Sequence, residues 1–82
     1  MNDQQLKEYS DWLKNFGFVV SKHRRKLGLT QREASARCEM NIKQFRDIEY
    51  GRRPITTRTM IRLCSGLEMP KPFSEAIRLI CE

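Results

Sequence analysis

Lys43, Arg46, Asp47 and Tyr50 stand at i, i+3, i+4 and i+7, so a helix running through them projects all four side chains from one side. Lysine and arginine donate hydrogen bonds, aspartate accepts them, and a tyrosine hydroxyl does both. A helix is narrow enough for the major groove, and such a stripe suits base edges there. Lys43 can donate to guanine O6 or N7, Gln44 can pair with adenine, Asp47 can accept from cytosine N4, and Ile42 can touch a thymine methyl. Arg52 and Arg53 follow directly, where a loop would run beside a sugar-phosphate backbone. Gln31 and Arg32 open the preceding helix, whose free N–H groups and dipole favour a phosphate. In isolation Lys43 and Asp47 would form no more than an i, i+4 ion pair on a solvated face, worth about 0.2–0.5 kcal/mol. The joint placement of the flanking groups points instead to DNA.

Bulk properties narrow the class. The chain has 82 residues and a net charge of +6, the size of a single domain with a small core. The charge is local: residues 16–53 hold ten Lys/Arg against four Asp/Glu. Such a surface draws polyanions, because each cation laid on a phosphate releases condensed counterions. An acidic lipid surface competes for the Lys22–Lys26 cluster, but Leu27 and the valines beside it are needed for the core. No enzyme is expected. His23 is the only histidine, it sits in a basic helix end, and no nucleophile or base stands in a pattern with it. Cys38, Cys64 and Cys81 are odd in number and share no short spacing, which argues against a zinc site, another metal or a disulfide framework. Cys38 and Cys64 fall where a helix needs a small apolar residue, so they read as buried reduced thiols. No cofactor is implied. The absence of a long apolar run or a signal-peptide layout predicts no membrane association and a cytoplasmic location in a bacterium or its phage.

The elements that must hold the stripe are also legible. Thr30 with Glu33 is a T-x-x-E capping box, and Asn41 with Gln44 repeats the device eleven residues later. That leaves room for a two-turn helix, a turn near Glu39-Met40, and a second helix ending before Gly51, a helix-turn-helix over about residues 30–50. Upstream, Leu6, Tyr9, Trp12, Leu13 and Phe16 mark a helix over 3–15 that either stands alone or lengthens the next. Gly17 weakens the join, at about 1 kcal/mol against alanine. Phe16, Val19, Val20 and Leu27 mark a helix with cations in its last turn and Gly28 as its stop. Downstream, Thr56 or Thr57 caps a helix whose buried stripe reads Met60, Ile61, Leu63, Cys64 and Leu67. Pro70 and Pro72 then precede a final helix facing inward with Phe73, Ile77 and Ile80. No strand alternation occurs. The expected fold is all-α, five or six short helices in one domain over 1–82: an extra N-terminal helix at 1–15, a core at 16–68 and a C-terminal helix at 69–82.

Arg24, Gly28, Leu29, Thr30-Gln31, Ser35, Met40, Phe45 with Ile48, Glu49 and Gly51 together resemble the pattern of the phage-repressor and Cro-like (XRE-type, lambda-repressor-like) helix-turn-helix family, over about residues 16–68. The resemblance implies a five-helix domain that binds operator DNA, usually as a homodimer on a palindromic site. It implies that Ile42, Lys43, Gln44, Arg46 and Asp47 lie at or near base edges. Phosphates would be met by Gln31, Arg32, Asn41, Tyr50, Arg52 and Arg53, with Gln31 also bracing the reading helix. Arg24 and Glu49 match a structural ion pair of the family. If it is buried, breaking it costs about 3–5 kcal/mol through the charge left behind, so loss of DNA binding on mutating Arg24 would not prove contact. Two positions depart from the pattern. Ser35 replaces a preferred alanine of nearly the same size. Glu39 stands at a turn position where glycine is preferred, and a left-handed glutamate costs about 1–2 kcal/mol, which argues for a turn of a different type.

The same fold serves transcriptional repressors, antitoxins and controllers of restriction-modification genes, so a toxin or polymerase partner is compatible with it. A protein-interaction module that had lost DNA binding would carry acidic or apolar residues on the stripe and no arginines after Gly51, unlike this chain. Dimerisation is expected through the N-terminal helix or the tail, either of which could instead cover the monomer core. Two-fold pairing would set the reading helices about 34 Å apart.

Overall fold

Four helices make up the fold of residues 2–69, the part of the chain that the computed structural model describes: α1 (Asp3–Lys26), α2 (Gln31–Arg37), α3 (Ile42–Glu49) and α4 (Thr57–Leu67). No strand occurs among the described residues. The expected five or six helices are not matched: of the two forms expected for the N-terminal segment, it takes the one in which it lengthens the next helix, giving one α1 of 24 residues through Gly17. The expected final helix bearing Phe73, Ile77 and Ile80 lies outside the described residues.

Helix α1 starts from a capping box that the sequence reading passed over, with the Asn2 side chain accepting from the Gln5 amide (2.8 Å) and the Gln5 side chain from the Asn2 amide (3.0 Å). It ends where Gly28 and Leu29 donate back to the carbonyls of Arg25 and Arg24. The low helix propensity of Gly17 is overridden by packing. This residue is buried, and a Cβ there would lie 2.5 Å from the Ile48 carbonyl oxygen and closer still to that of Glu49. Glycine at 17 lets α1 cross directly over the C-terminal end of α3.

The core is built from Phe16 and Val20 of α1, Ala34 of α2 with Cys38 at its end, Phe45 and Ile48 of α3, Leu63, Cys64 and Leu67 of α4, and Met69. Two expectations are corrected. Val19 and Ile61 are exposed, because their neighbours Phe16 and Val20, and Thr59 and Leu63, set the inward direction, and neither residue lies on those stripes. Ser35 is buried without an orphan hydroxyl, since its Oγ donates to the Arg32 carbonyl at 2.8 Å. Burial pushes the Cys38 thiol up to about 11, leaving it protonated and inert.

The turn between α2 and α3 keeps the geometry that its sequence argued against. Glu39 takes φ 55, and the amides of Glu39 and Met40 donate to Ala36 and Ser35, closing α2 with a left-handed C-terminal cap. Packing of Met40 and Phe45 on the core overrides the local cost. Replacing Glu39 by glycine relieves a penalty of about 1–2 kcal/mol against roughly 0.5–1 kcal/mol of added backbone entropy. Glu39→Gly is therefore expected to raise the urea midpoint at unchanged slope, by roughly 0.5–1 kcal/mol in unfolding free energy. A lowered midpoint would contradict this account of the turn.

Candidate nucleic-acid interface

The two capping boxes do not form equally. At α2 both halves are present: the Thr30 hydroxyl accepts from the Glu33 amide at 3.1 Å, and the Thr30 amide donates to Glu33 at 2.9 Å, holding that carboxyl below its usual range. At α3 only Asn41 acts, its side-chain oxygen accepting from the Gln44 amide at 2.7 Å. Gln44 itself is half-buried.

Helix α3 buries Phe45, Ile48 and Glu49 and exposes Lys43 and Arg46, with Tyr50 exposed at its C-terminal cap, while Ile42 and Asp47 are half-buried at the margins of the exposed face. Among the described residues Lys43 makes no ion pair. Asp47 turns toward Arg53, with Nε and Oδ2 at 3.9 Å. Arg52 lies over the Tyr50 ring, its guanidinium carbon 4.8 Å from the ring centre. Asn41 and Arg32 are exposed.

Behind this face runs a chain of polar contacts centred on Glu49. Arg24 donates through Nε to Glu49 Oε2 at 2.7 Å and through a terminal nitrogen to Oε1 at 3.4 Å, with side chains only 12% and 4% exposed. A third Arg24 nitrogen donates to the Leu29 carbonyl at 2.9 Å. Gln31 Nε2 also donates to Glu49 Oε1 at 2.8 Å, and Gln31 Oε1 accepts from Arg46 Nε at 3.1 Å. The line Arg24, Glu49, Gln31, Arg46 thus joins α1, the first loop, α2 and the outer face of α3. Arg46 is oriented through Nε and keeps its two terminal nitrogens without a hydrogen bond among the described residues.

The structure adds residues that the sequence reading missed. Lys14, Phe18, Ser21 and Arg25 line one side of a notch of about 290 Å³ whose other walls are Gln31, Glu49 and Tyr50. Their spacing of four, three and four was the available signal, since it places them on a single stripe of α1. Lys14 is brought in by Gly51, which has φ 68 and leaves no room for a Cβ beside the Lys14 backbone. The cationic surface therefore extends from α3 and its following loop onto α1.

A family model described as a helix-turn-helix domain matches residues 15–73, more than half of the chain, and the protein belongs to that family. This makes it a DNA-binding regulator of the XRE-like type. No curated protein matches the chain. No helix among the described residues is long and apolar enough to cross a membrane.

Because Arg24 and Glu49 are both nearly enclosed, removing one leaves an uncompensated charge. Glu49→Ala and Arg24→Ala are each expected to cost about 3–5 kcal/mol by urea denaturation. The double change Arg24→Ala with Glu49→Ala should cost far less than the sum of the two single changes. Additive losses in that double-mutant cycle would show that the two groups do not act as a pair.

Proposed function

We propose that the protein is a sequence-specific regulator of transcription, a repressor, that binds double-stranded operator DNA by laying α3 in the major groove. Lys43, Arg46 and Asp47 read base edges, with Ile42 and Gln44 at the margins of the contact. Gln31, Arg32, Asn41, Tyr50, Arg52 and Arg53 hold the flanking phosphates, and Lys14 and Arg25 extend that grip onto α1. The protein acts as a homodimer on a palindromic site, without catalysis and without a cofactor.

The observation that carries this reading is the outer face of α3, where Lys43, Arg46 and Tyr50 are exposed together while Arg46 is held by Gln31. An exposed donor stripe is expected on many solvated helices. Here one of its members is fixed in direction, and cations stand on both sides. A fixed fork reads guanine edges better than a mobile one, because less side-chain freedom is lost per contact.

Operator fragments selected from a random DNA pool provide the probe. Lys43→Ala with Arg46→Ala is expected to weaken binding to the selected fragment by roughly 30-fold or more while leaving nonspecific binding within a few-fold, as loss of base contacts at about 1–3 kcal/mol each requires. Arg52→Ala and Arg53→Ala should instead weaken all sequences alike and lower the slope of log K against log salt by about 0.9 each. Unchanged affinity of the Lys43/Arg46 variant for the selected fragment would refute the reading.

A further inference from the structure

On α1 the notch-lining residues and a second, apolar set face different ways. Trp12 and Val19 are 44% and 39% exposed, and at 100° per residue they lie roughly 150° around the helix from Lys14 and Ser21. Trp12 stacks on Phe16, with ring centres 5.2 Å apart and planes within 5°. Beside the stack is an open hollow of about 270 Å³ lined by Trp12, Asn15, Phe16 and Val19, almost entirely apolar. Phe18 is exposed on the notch side instead. Trp12 and Val19, however, stand seven residues apart on one stripe and share the hollow between them, so they form one apolar patch, the kind of surface that marks association.

Two features specify the occupant. Glu8, Trp12, Asn15, Val19, Lys22 and Lys26 share one stripe of α1, with the apolar pair near its centre, a carboxylate toward its start and two lysines toward its end. Charge is also divided along α1. Residues 3–13 hold three carboxylates against one lysine, and residues 14–26 hold five Lys/Arg and no carboxylate. A parallel neighbour would set like halves together. An antiparallel copy sets opposite halves together and aligns the two helix dipoles favourably.

We propose that this face of α1 is a self-association surface on which a second copy of the chain packs antiparallel, about a two-fold axis beside Asn15. The register that sets Trp12 against the partner's Val19 brings Glu8 within a helical turn of the partner's Lys22 and the partner's Lys26. Symmetry makes each contact twice. The apolar hollow then receives the partner's side chains, and the notch on the other side of α1 stays open. This deepens the homodimer part of the proposed function by assigning it to α1.

The test is sedimentation equilibrium of the 82-residue chain without DNA, with circular dichroism to establish that each variant is folded. The wild type is expected to be a dimer. Val19→Glu should weaken dimerisation at least 10-fold. Glu8→Lys should weaken it by roughly 2–5-fold per contact, as exposed ion pairs do, and adding Lys22→Glu and Lys26→Glu to Glu8→Lys should restore it. A monomeric wild type overturns the proposal, including one that Val19→Glu destabilises because residues 70–82 of the same chain cover the face. A dimer indifferent to Val19→Glu overturns it as well. A dimer that binds no DNA would leave this surface standing and sink the regulator reading, and a monomer that binds an operator would do the reverse.

Discussion

The carboxylate of Glu49 is the joint on which the DNA-facing half of the fold depends. It lies at the last turn of α3, enclosed to 4% exposure, and it takes hydrogen bonds from Arg24 and from Gln31. A carboxylate in that position is costly to bury alone, and the attraction of a single cation in a low-dielectric setting does not always offset the cost. Here the Arg24 guanidinium supplies two donors, and its remaining nitrogen is held by the Leu29 carbonyl, so both charges are satisfied in direction as well as in sign. No buried side-chain polar atom among the described residues is left without a partner. What the pair provides is less net stability than a fixed relation between α1, the first loop and the end of α3.

That relation is reinforced by close backbone approach. Gly17 lets α1 come within contact of the carbonyls that end α3, and Gly51 lets the following loop turn back against Lys14. Side chains larger than hydrogen at either place would push the two helices apart and stretch the Arg24 to Glu49 contact. The same geometry explains why α1 is one long rod. Its second half belongs to the core, and its first half projects beyond it with Leu6, Tyr9 and Trp12 exposed.

Much of this was legible in the sequence, for identifiable reasons. The capping pairs at Thr30 and Asn41, the spacing of Phe45 and Ile48, and the exposed stripe of Lys43, Arg46 and Tyr50 are local signals, and local signals survive folding when packing agrees with them. At Gly17 and Glu39 packing overrides intrinsic preference. The first is needed for a helix crossing between residues more than thirty positions apart in the chain, and the second is held left-handed by the core contacts on either side of it. Residue type points Val19 and Ile61 inward, whereas helical phase decides direction and leaves both exposed. The notch formed by Lys14, Ser21 and Arg25 with Tyr50 required knowing how α1 crosses α3, which a single sequence does not state.

Arg46 shows how the framework and the reading surface meet in one side chain. In the proposed complex it must present its terminal nitrogens to a base, and a free arginine would lose up to about 2 kcal/mol of rotamer freedom in doing so. The bond from Nε to Gln31 restricts that freedom before DNA arrives, and Gln31 is itself restrained by Glu49. Lys43 has no such restraint among the described residues. Two neighbouring cations on the same face therefore differ in kind: Arg46 meets its base with its direction already set, and Lys43 must give up its rotamer freedom on contact. Geometry transmitted from a buried ion pair, rather than the number of positive charges, distinguishes this surface from an ordinary basic helix.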